Sequence, residues 1–297
     1  MEQQPSGNHH DWPSAFAEAF FSLTWRTYYL EYEAVNAGNV PLHKSESWRG
    51  MLGHVLLNRA KHLYERVFEC QIPFGHPLAG RYQHPPNPYI VFVPDQERTW
   101  MNRGDLLQVE FTLIGNHTRD FPDLFSLLMN MDHREMRTNN GGVGFRLARF
   151  RASPEENLRT MAVSDFPGDC RIRTITPLRL RKEDCELGVI AAGVWFRRIA
   201  ERLTLLAHFH CDVPFTEDFS FLESLCEGVI ATGGSLRWEH QLRYSSRYGG
   251  TKPTGGFSGS WKYEQLPVSL RPILQAGELL HVGKATVQGL GKYVVEV

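Results

Sequence analysis

The chain has 297 residues, 42% apolar and 22% charged, and its 32 lysines and arginines against 33 aspartates and glutamates leave a formal net charge of −1. This length and composition suit a water-soluble globular protein of two ordinary domains, each with its own core. The sequence lacks a run near the roughly 20 apolar residues of a membrane span, a basic-then-apolar signal peptide and any C-x-x-C pair among its five cysteines, which argues against a membrane protein, a secreted disulfide scaffold and a zinc ribbon, and points to the cytoplasm.

Leu23 to Ala34, rich in Thr, Tyr and Trp, predicts a first strand ended by Asn36-Ala37-Gly38-Asn39. A loop through Pro41, Leu42, His43 and Lys44 follows. Ser45 suits an N-cap, and Trp48, Met51, Leu52, Val55 and Leu56 recur at helical spacing, so a helix is predicted from about Ser47 to Phe68. Ser47, Gly50, His54, Asn58 and Lys61 form a polar stripe on its other side. Cys70 to Pro94 is dense in Pro, Gly and His and predicts an irregular loop holding a short strand at Tyr89 to Val93. Asp105 to Gly115 predicts a strand, Phe121 to Met131 a short helix, and Gly141 to Ala152 a glycine turn feeding a strand that carries Arg146, Arg149 and Arg151. The order β, α, β, α, β suits an α+β module of the ferredoxin-like type. A boundary near Val163 to Asp169 divides the chain into modules 1–165 and 166–297.

The second half opens with a strand at Arg171 to Leu180 and continues with helices at about Leu187 to His208 and Asp218 to Val229. A strand at Ser235 to Arg247 follows, then turns at Gly249-Gly250 and Gly255-Gly256, a strand at Ser260 to Tyr263 and a helix near Leu266 to Ala276. This again gives β, α, β, α, β in rough order. The tail, Leu279 to Val297, breaks at Gly283, Gly289 and Gly291, flanked by Lys284 and Lys292, and resumes as a strand. Glycine weakens strands unless the backbone takes φ > 0 or approaches something closely, so the segment reads as a loop pressed against an anion, most simply a phosphate. It is not the triphosphate loop G-x-x-x-x-G-K-[ST], because Gly277 lies one residue too far from Gly283 and Ala285 replaces the magnesium-binding hydroxyl.

Arg243-Tyr244-Ser245-Ser246-Arg247, Gly255-Gly256-Phe257-Ser258-Gly259, Leu279-Leu280-His281-Val282-Gly283-Lys284 and Gly289-Leu290-Gly291-Lys292-Tyr293 follow one another in an informative order. Upstream stand Thr176-Pro177-Leu178-Arg179-Leu180, Gly142-Val143-Gly144-Phe145-Arg146, and Pro41-Leu42-His43 with Trp48-Arg49-Gly50-Met51-Leu52-Gly53-His54. With these motifs the chain resembles the CRISPR-associated endoribonucleases of the RAMP (repeat-associated mysterious protein) superfamily, which process precursor CRISPR RNA (crRNA). The resemblance implies two tandem ferredoxin-like, RRM-like modules with a C-terminal glycine-rich loop. It also implies metal-independent cleavage of repeat RNA through the 2′-hydroxyl, leaving a 2′,3′-cyclic phosphate, with an active histidine between the first strand and first helix.

Imidazole suits the two proton transfers because its ordinary pKa is about 6.5. His43 and His54 qualify by position, His43 being favoured as a loop side chain next to a lysine. Lys44 would stabilise the phosphorane, and Tyr29 or Tyr28 would act as proton donor or stacking platform. For RNA binding, the amides of the Gly283, Gly289 and Gly291 loop with Lys284 and Lys292 would cradle phosphates. Arg49, Arg146, Arg149, Arg171, Arg173, Arg243 and Arg247 would supply a basic surface. The net charge is unusual for a nucleic-acid binder, but Arg134 to Lys182 holds eleven Lys/Arg against five Asp/Glu, and Arg237 to Val297 eight against four.

His208-Phe209-His210-Cys211 and Asp132-His133 match no metal motif, and neither a metal nor a small-molecule cofactor is expected. The expected partners are CRISPR repeat RNA with a stem-loop and other subunits of a CRISPR effector complex. The rivals are a non-catalytic crRNA-binding subunit of such a complex and a phosphate-ligand enzyme unrelated to RNA.

Overall fold

The computed structural model describes residues 11–129, 135–138, 141–161, 168–245 and 250–297. An opening helix α1, Ser14–Ser22, is absent from the sequence expectations. Its first turn has no capping side chain, and the helix is held by burial of Phe16, Ala19 and Phe20, three residues placed i, i+3, i+4 on one face.

The first strand, β1 (Thr24–Ala34), is the centre of a sheet. Its Tyr28, Leu30, Tyr32 and Ala34 are buried at period two, against a core shared with helix α2, Lys44–Arg59. The strands β2 (Tyr89–Phe92), β3 (Leu106–Ile114), β4 (Glu135–Thr138) and β5 (Gly141–Ala152) complete it in the order β2-β3-β1-β5-β4, antiparallel throughout, with helix α3 (Phe121–Met129) between β3 and β4. The register between β1 and β5 slips between Glu31 and Tyr32. Arg146 and Arg149, three residues apart, would alternate faces on an unbroken strand; the slip lets them oppose Glu33 and Glu31, which share one face of β1.

The second half builds β6 (Cys170–Thr174), the long helix α4 (Ala192–His210), a short helix α5 (Ser220–Cys226) and β7 (Ile230–Thr232). A hairpin of β8 (Arg237–Ser245) and β9 (Gly250–Ser258) follows, then β10 (Ser260–Glu264), α6 (Arg271–Leu280) and β11 (Tyr293–Glu296). The sheet order is β7-β10-β6-β11. Taking the four principal strands of each half in chain order, both sheets read second, third, first, fourth. The molecule is therefore α+β, two ferredoxin-like modules in tandem, with the β8–β9 hairpin inserted in the second.

The expected turn at Gly255-Gly256 is instead strand, because both glycines serve close packing. A Cβ on Gly255 would stand 2.5 Å from the Glu239 carbonyl, and one on Gly256 2.7 Å from the backbone of Leu178. The expected strand to Leu180 ends at Thr174, and the following residues bind the C-terminal segment instead.

One core crosses the two halves: Phe16, Phe20, Trp25 and Ile114 pack in the same cluster as Trp195, Trp261 and Tyr293. A loop of the first module is also fastened along α4. Tyr82 donates its hydroxyl to Glu201 at 2.9 Å, the His76 and His208 Nε2 atoms stand 3.1 Å apart, and His210 Nε2–H donates to the Pro86 carbonyl at 2.6 Å. Among the described residues no helix is long and apolar enough to cross a membrane.

Candidate active site

His43 is the N-cap of α2, one turn earlier than the sequence places the helix start, and its carbonyl accepts the Ser47 N–H at 3.2 Å. Ser45 is not the cap. Its buried hydroxyl accepts the Val93 N–H at 2.9 Å and pins the first turn of α2 to the end of β2. Opposite this turn lies the glycine-rich C-terminal segment. Gly289 has φ +81°, and a Cβ there would stand 2.5 Å from Ser45 Oγ and 2.9 Å from the Val91 carbonyl, so only glycine allows this contact without displacement. Thr176, buried, holds the segment from behind: its hydroxyl donates to the Gly289 carbonyl at 2.7 Å and accepts the Lys292 N–H at 3.0 Å.

Between these parts is a cavity of ≈ 30 Å³ lined by His43, Ser45, Glu46, Gln96, Thr176 and Gln288 among others. It admits a water or the oxygens of a phosphate, not a whole nucleotide. His43 has its pKa lowered, first by burial and second by the Lys44 ammonium, so the imidazole is neutral at neutral pH and competent to accept a proton. The positive end of the α2 dipole lies at the same place and favours added negative charge. Sequence reasoning missed Glu46, Gln96, Thr176 and Gln288. Gln288 and Thr176 carried a signal, the one as a polar side chain between glycines of the singled-out segment and the other as the first residue of a quoted motif, whereas Glu46 and Gln96 depend on the fold.

The remaining expected site residues are dispersed. His54 is exposed eleven positions along the same helix, roughly 16 Å of rise from His43, too far to serve one phosphate with it. Lys44 is fully buried, does not line the cavity, and its Nζ has no hydrogen-bond partner; burial lowers its pKa, partly opposed by Asp95. Tyr29 lies on β1 beneath the Arg151 guanidinium, 3.9 Å from its ring centroid, and does not line the cavity. Arg49 donates to the Tyr89 hydroxyl at 2.8 Å and lies over Phe68. Arg146 and Arg149 pair with Glu33 and Glu31 at 2.9 and 3.3 Å. Arg171 and Arg173 are exposed on β6. Arg243 is described in its strand backbone alone, and Arg247 lies outside the described residues.

The phosphate-cradle reading of the glycine segment is corrected by its hydrogen bonds. The N–H groups of Lys284 and Gly291 donate to the carbonyls of Arg179 and Pro177, and that of Gly289 to Thr286. Gly283 packs 2.9 Å, by its would-be Cβ, from the Arg179 carbonyl, and Gly291 packs on Val282. These amides are used within the protein. Lys284 is exposed, while Lys292 turns inward, its Nζ donating to the Glu278 carbonyl at 3.0 Å. Among the described residues, no group of three or more His, Cys, Asp or Glu is placed to hold a metal ion; Asp132 and His133 lie outside them.

Residues 23–165 match the AF_1859_N family of N-terminal domains, and residues 172–293 match the family of the CRISPR-associated endoribonuclease Cas6. Through residues 172–293 the chain is similar to the CRISPR-associated endoribonuclease Cas6. The cavity lies where the two matched segments meet, with His43, Ser45, Glu46 and Gln96 from the N-terminal match and Thr176, Gln288 and Gly289 from the Cas6 match.

Solved structures with this fold include a Thermus thermophilus Cas6, 15% identical with a TM-score of 0.52 over 92% of this chain and 98% of that one. A second Cas6, in a product complex, is 17% identical with a TM-score of 0.53 over 92% and 100%. A partial Cas6-RT-Cas1–Cas2 complex aligns with a TM-score of 0.59 at 14% identity, over 92% of this chain and 46% of that larger one. No curated protein matches the chain.

Proposed function

We propose that this protein is a metal-independent endoribonuclease that cuts CRISPR repeat RNA to mature crRNA and stays on the crRNA 3′ handle within an effector complex. The observation that carries the reading is the placement of His43: one half-buried imidazole, held neutral, at the positive end of a 16-residue helix in a cavity walled by both halves of the chain. Neutral His43 takes the proton of the 2′-hydroxyl, whose oxygen attacks the adjacent phosphorus. The P–O5′ bond breaks as the P–O2′ bond forms, leaving a 2′,3′-cyclic phosphate, and the departing 5′-oxygen takes a proton from water, to which the His43 imidazolium then returns its own. Charge that grows on the phosphorane faces the first-turn amides of α2, where the helix dipole offsets it. The modules, taken as 1–165 and 166–297, then divide the work, one carrying the imidazole and the other the wall that fixes its surroundings. Solved relatives in a product complex and in a Cas6-RT-Cas1–Cas2 complex support RNA and CRISPR proteins as partners.

The test is to incubate the protein with RNA containing the repeat in excess EDTA and to analyse the product ends. Cutting with a 2′,3′-cyclic phosphate on the upstream fragment and a 5′-hydroxyl on the downstream fragment is expected. Cutting that needs a divalent cation, or leaves a 5′-phosphate, contradicts the proposal.

A further inference from the structure

A groove of ≈ 410 Å³ lies between the β6–β10 strands and the β8–β9 hairpin, walled by Arg173, Pro177, Ser235, Glu239, Ser258 and Ser260 among others. Pro177 also lines the His43 cavity, so the two hollows share a wall. The four steps of chain from Arg173 to Pro177 reach at most roughly 14 Å, so an RNA strand with one phosphate at His43 places a neighbouring nucleotide in the groove. The volume lies at the low end of the roughly 300–1,000 Å³ of small-molecule sites, which fits one nucleotide and not a duplex.

The walls are polar. Three serines, an arginine and a glutamate line the groove, with Pro177 as an apolar element of its wall. Arg173 is paired with Glu296 in a half-exposed contact of the kind a phosphate can displace. Lys262 stands opposite Arg171 on the neighbouring strand, so the basic side chains continue along this face away from the groove.

We infer that this groove takes one unpaired nucleotide of the substrate RNA beside the scissile phosphate, and that Glu239 selects guanine there. The inference rests on the endoribonuclease reading above. A carboxylate only accepts hydrogen bonds, through two oxygens. On its Watson–Crick edge guanine presents two adjacent donors, N1–H and the N2 amino group. Cytosine and adenine each offer an amino group beside a bare ring nitrogen, and uracil an N–H between two carbonyls. Guanine alone satisfies both oxygens, and unpaired bases are the ones whose edges proteins read in RNA. A bidentate match of this kind gives a preference of about tenfold.

The experiment uses a pool of RNAs with a fixed stem-loop and randomised 3′ flank, incubated in EDTA with the unaltered protein or with Glu239→Gln, whose side chain is exposed and whose replacement keeps its shape. Sequencing of cut and uncut RNA should show guanine enriched about tenfold at one position beside the cut by the unaltered protein. Glu239→Gln should still cut but lose that enrichment at that position alone. Cutting without guanine enrichment, or the same enrichment with Glu239→Gln, overturns the groove assignment and leaves the endoribonuclease reading standing. If the unaltered protein cuts none of the pool nor repeat RNA, both fall.

Discussion

His43 sits where burial and the Lys44 ammonium both disfavour its protonated form. The base form therefore persists below the ordinary imidazole pKa of about 6.5. The pH profile of kcat/KM should rise with pH, bend below 6.5 and be flat by about 7, since it reports the free protein's essential base. A bend above 7 would show another group at work. Lys44→Met removes the second cause of the shift and should move the bend up towards 6.5. It should not lower stability, because the Lys44 Nζ is buried without a hydrogen-bond partner, a situation in which an apolar replacement is neutral or favourable. If Lys44→Met instead abolishes cutting at every pH, Lys44 acts on the phosphorane after all. The sequence shows His43 beside Lys44, but it cannot show that the lysine turns into the protein.

Although α2 ends at Arg59 and not at the expected Phe68, the terminal glycine segment, β1 and the body of α2 are legible in the sequence, because each rests on local periodicity or on glycine, whose backbone freedom is a local property. The cavity is not, since it depends on Ser45 of one module meeting Gly289 of the other. The arginines of β5 were likewise readable as cations, but their pairing with Glu31 and Glu33 follows from a register slip that no local signal announces. Helix α1 was missed because its support is tertiary, three apolar residues on one face and no cap. The Gly289 contact makes a sharp prediction. Gly289→Ala, at φ +81° and against Ser45 and Val91, should cost about 2–3 kcal/mol in unfolding free energy by strain and overpacking. Thr176→Val, which removes a buried hydroxyl bonded to Gly289 and Lys292, should cost about 1–3 kcal/mol. Denaturant titration reads both, and values near zero would mean that the segment is not the bracket described.

Because one apolar cluster joins α1 and β1 to α4 and β10, the two modules should unfold together, as a single calorimetric transition; two separated transitions would contradict the shared core. His210 extends this to pH. Its pKa is lowered to about 4 by burial, while the unfolded chain's imidazole titrates near 6.5. The unfolded state thus binds the proton first, so this contribution is complete above about 6.5 and lost as pH falls towards 4, at roughly 1.4 kcal/mol per unit. His210→Gln should flatten that slope, and an unchanged slope would assign it to other groups. On the proposed reading the whole arrangement serves one imidazole, and the most direct test is the single-turnover rate of repeat-RNA cutting in EDTA by the unaltered protein, His43→Ala and His54→Ala. The rate should fall about 10²- to 10⁴-fold for His43→Ala, with RNA affinity retained, and stay within about threefold for His54→Ala. Full activity in His43→Ala, or its loss in His54→Ala alone, would contradict the assignment.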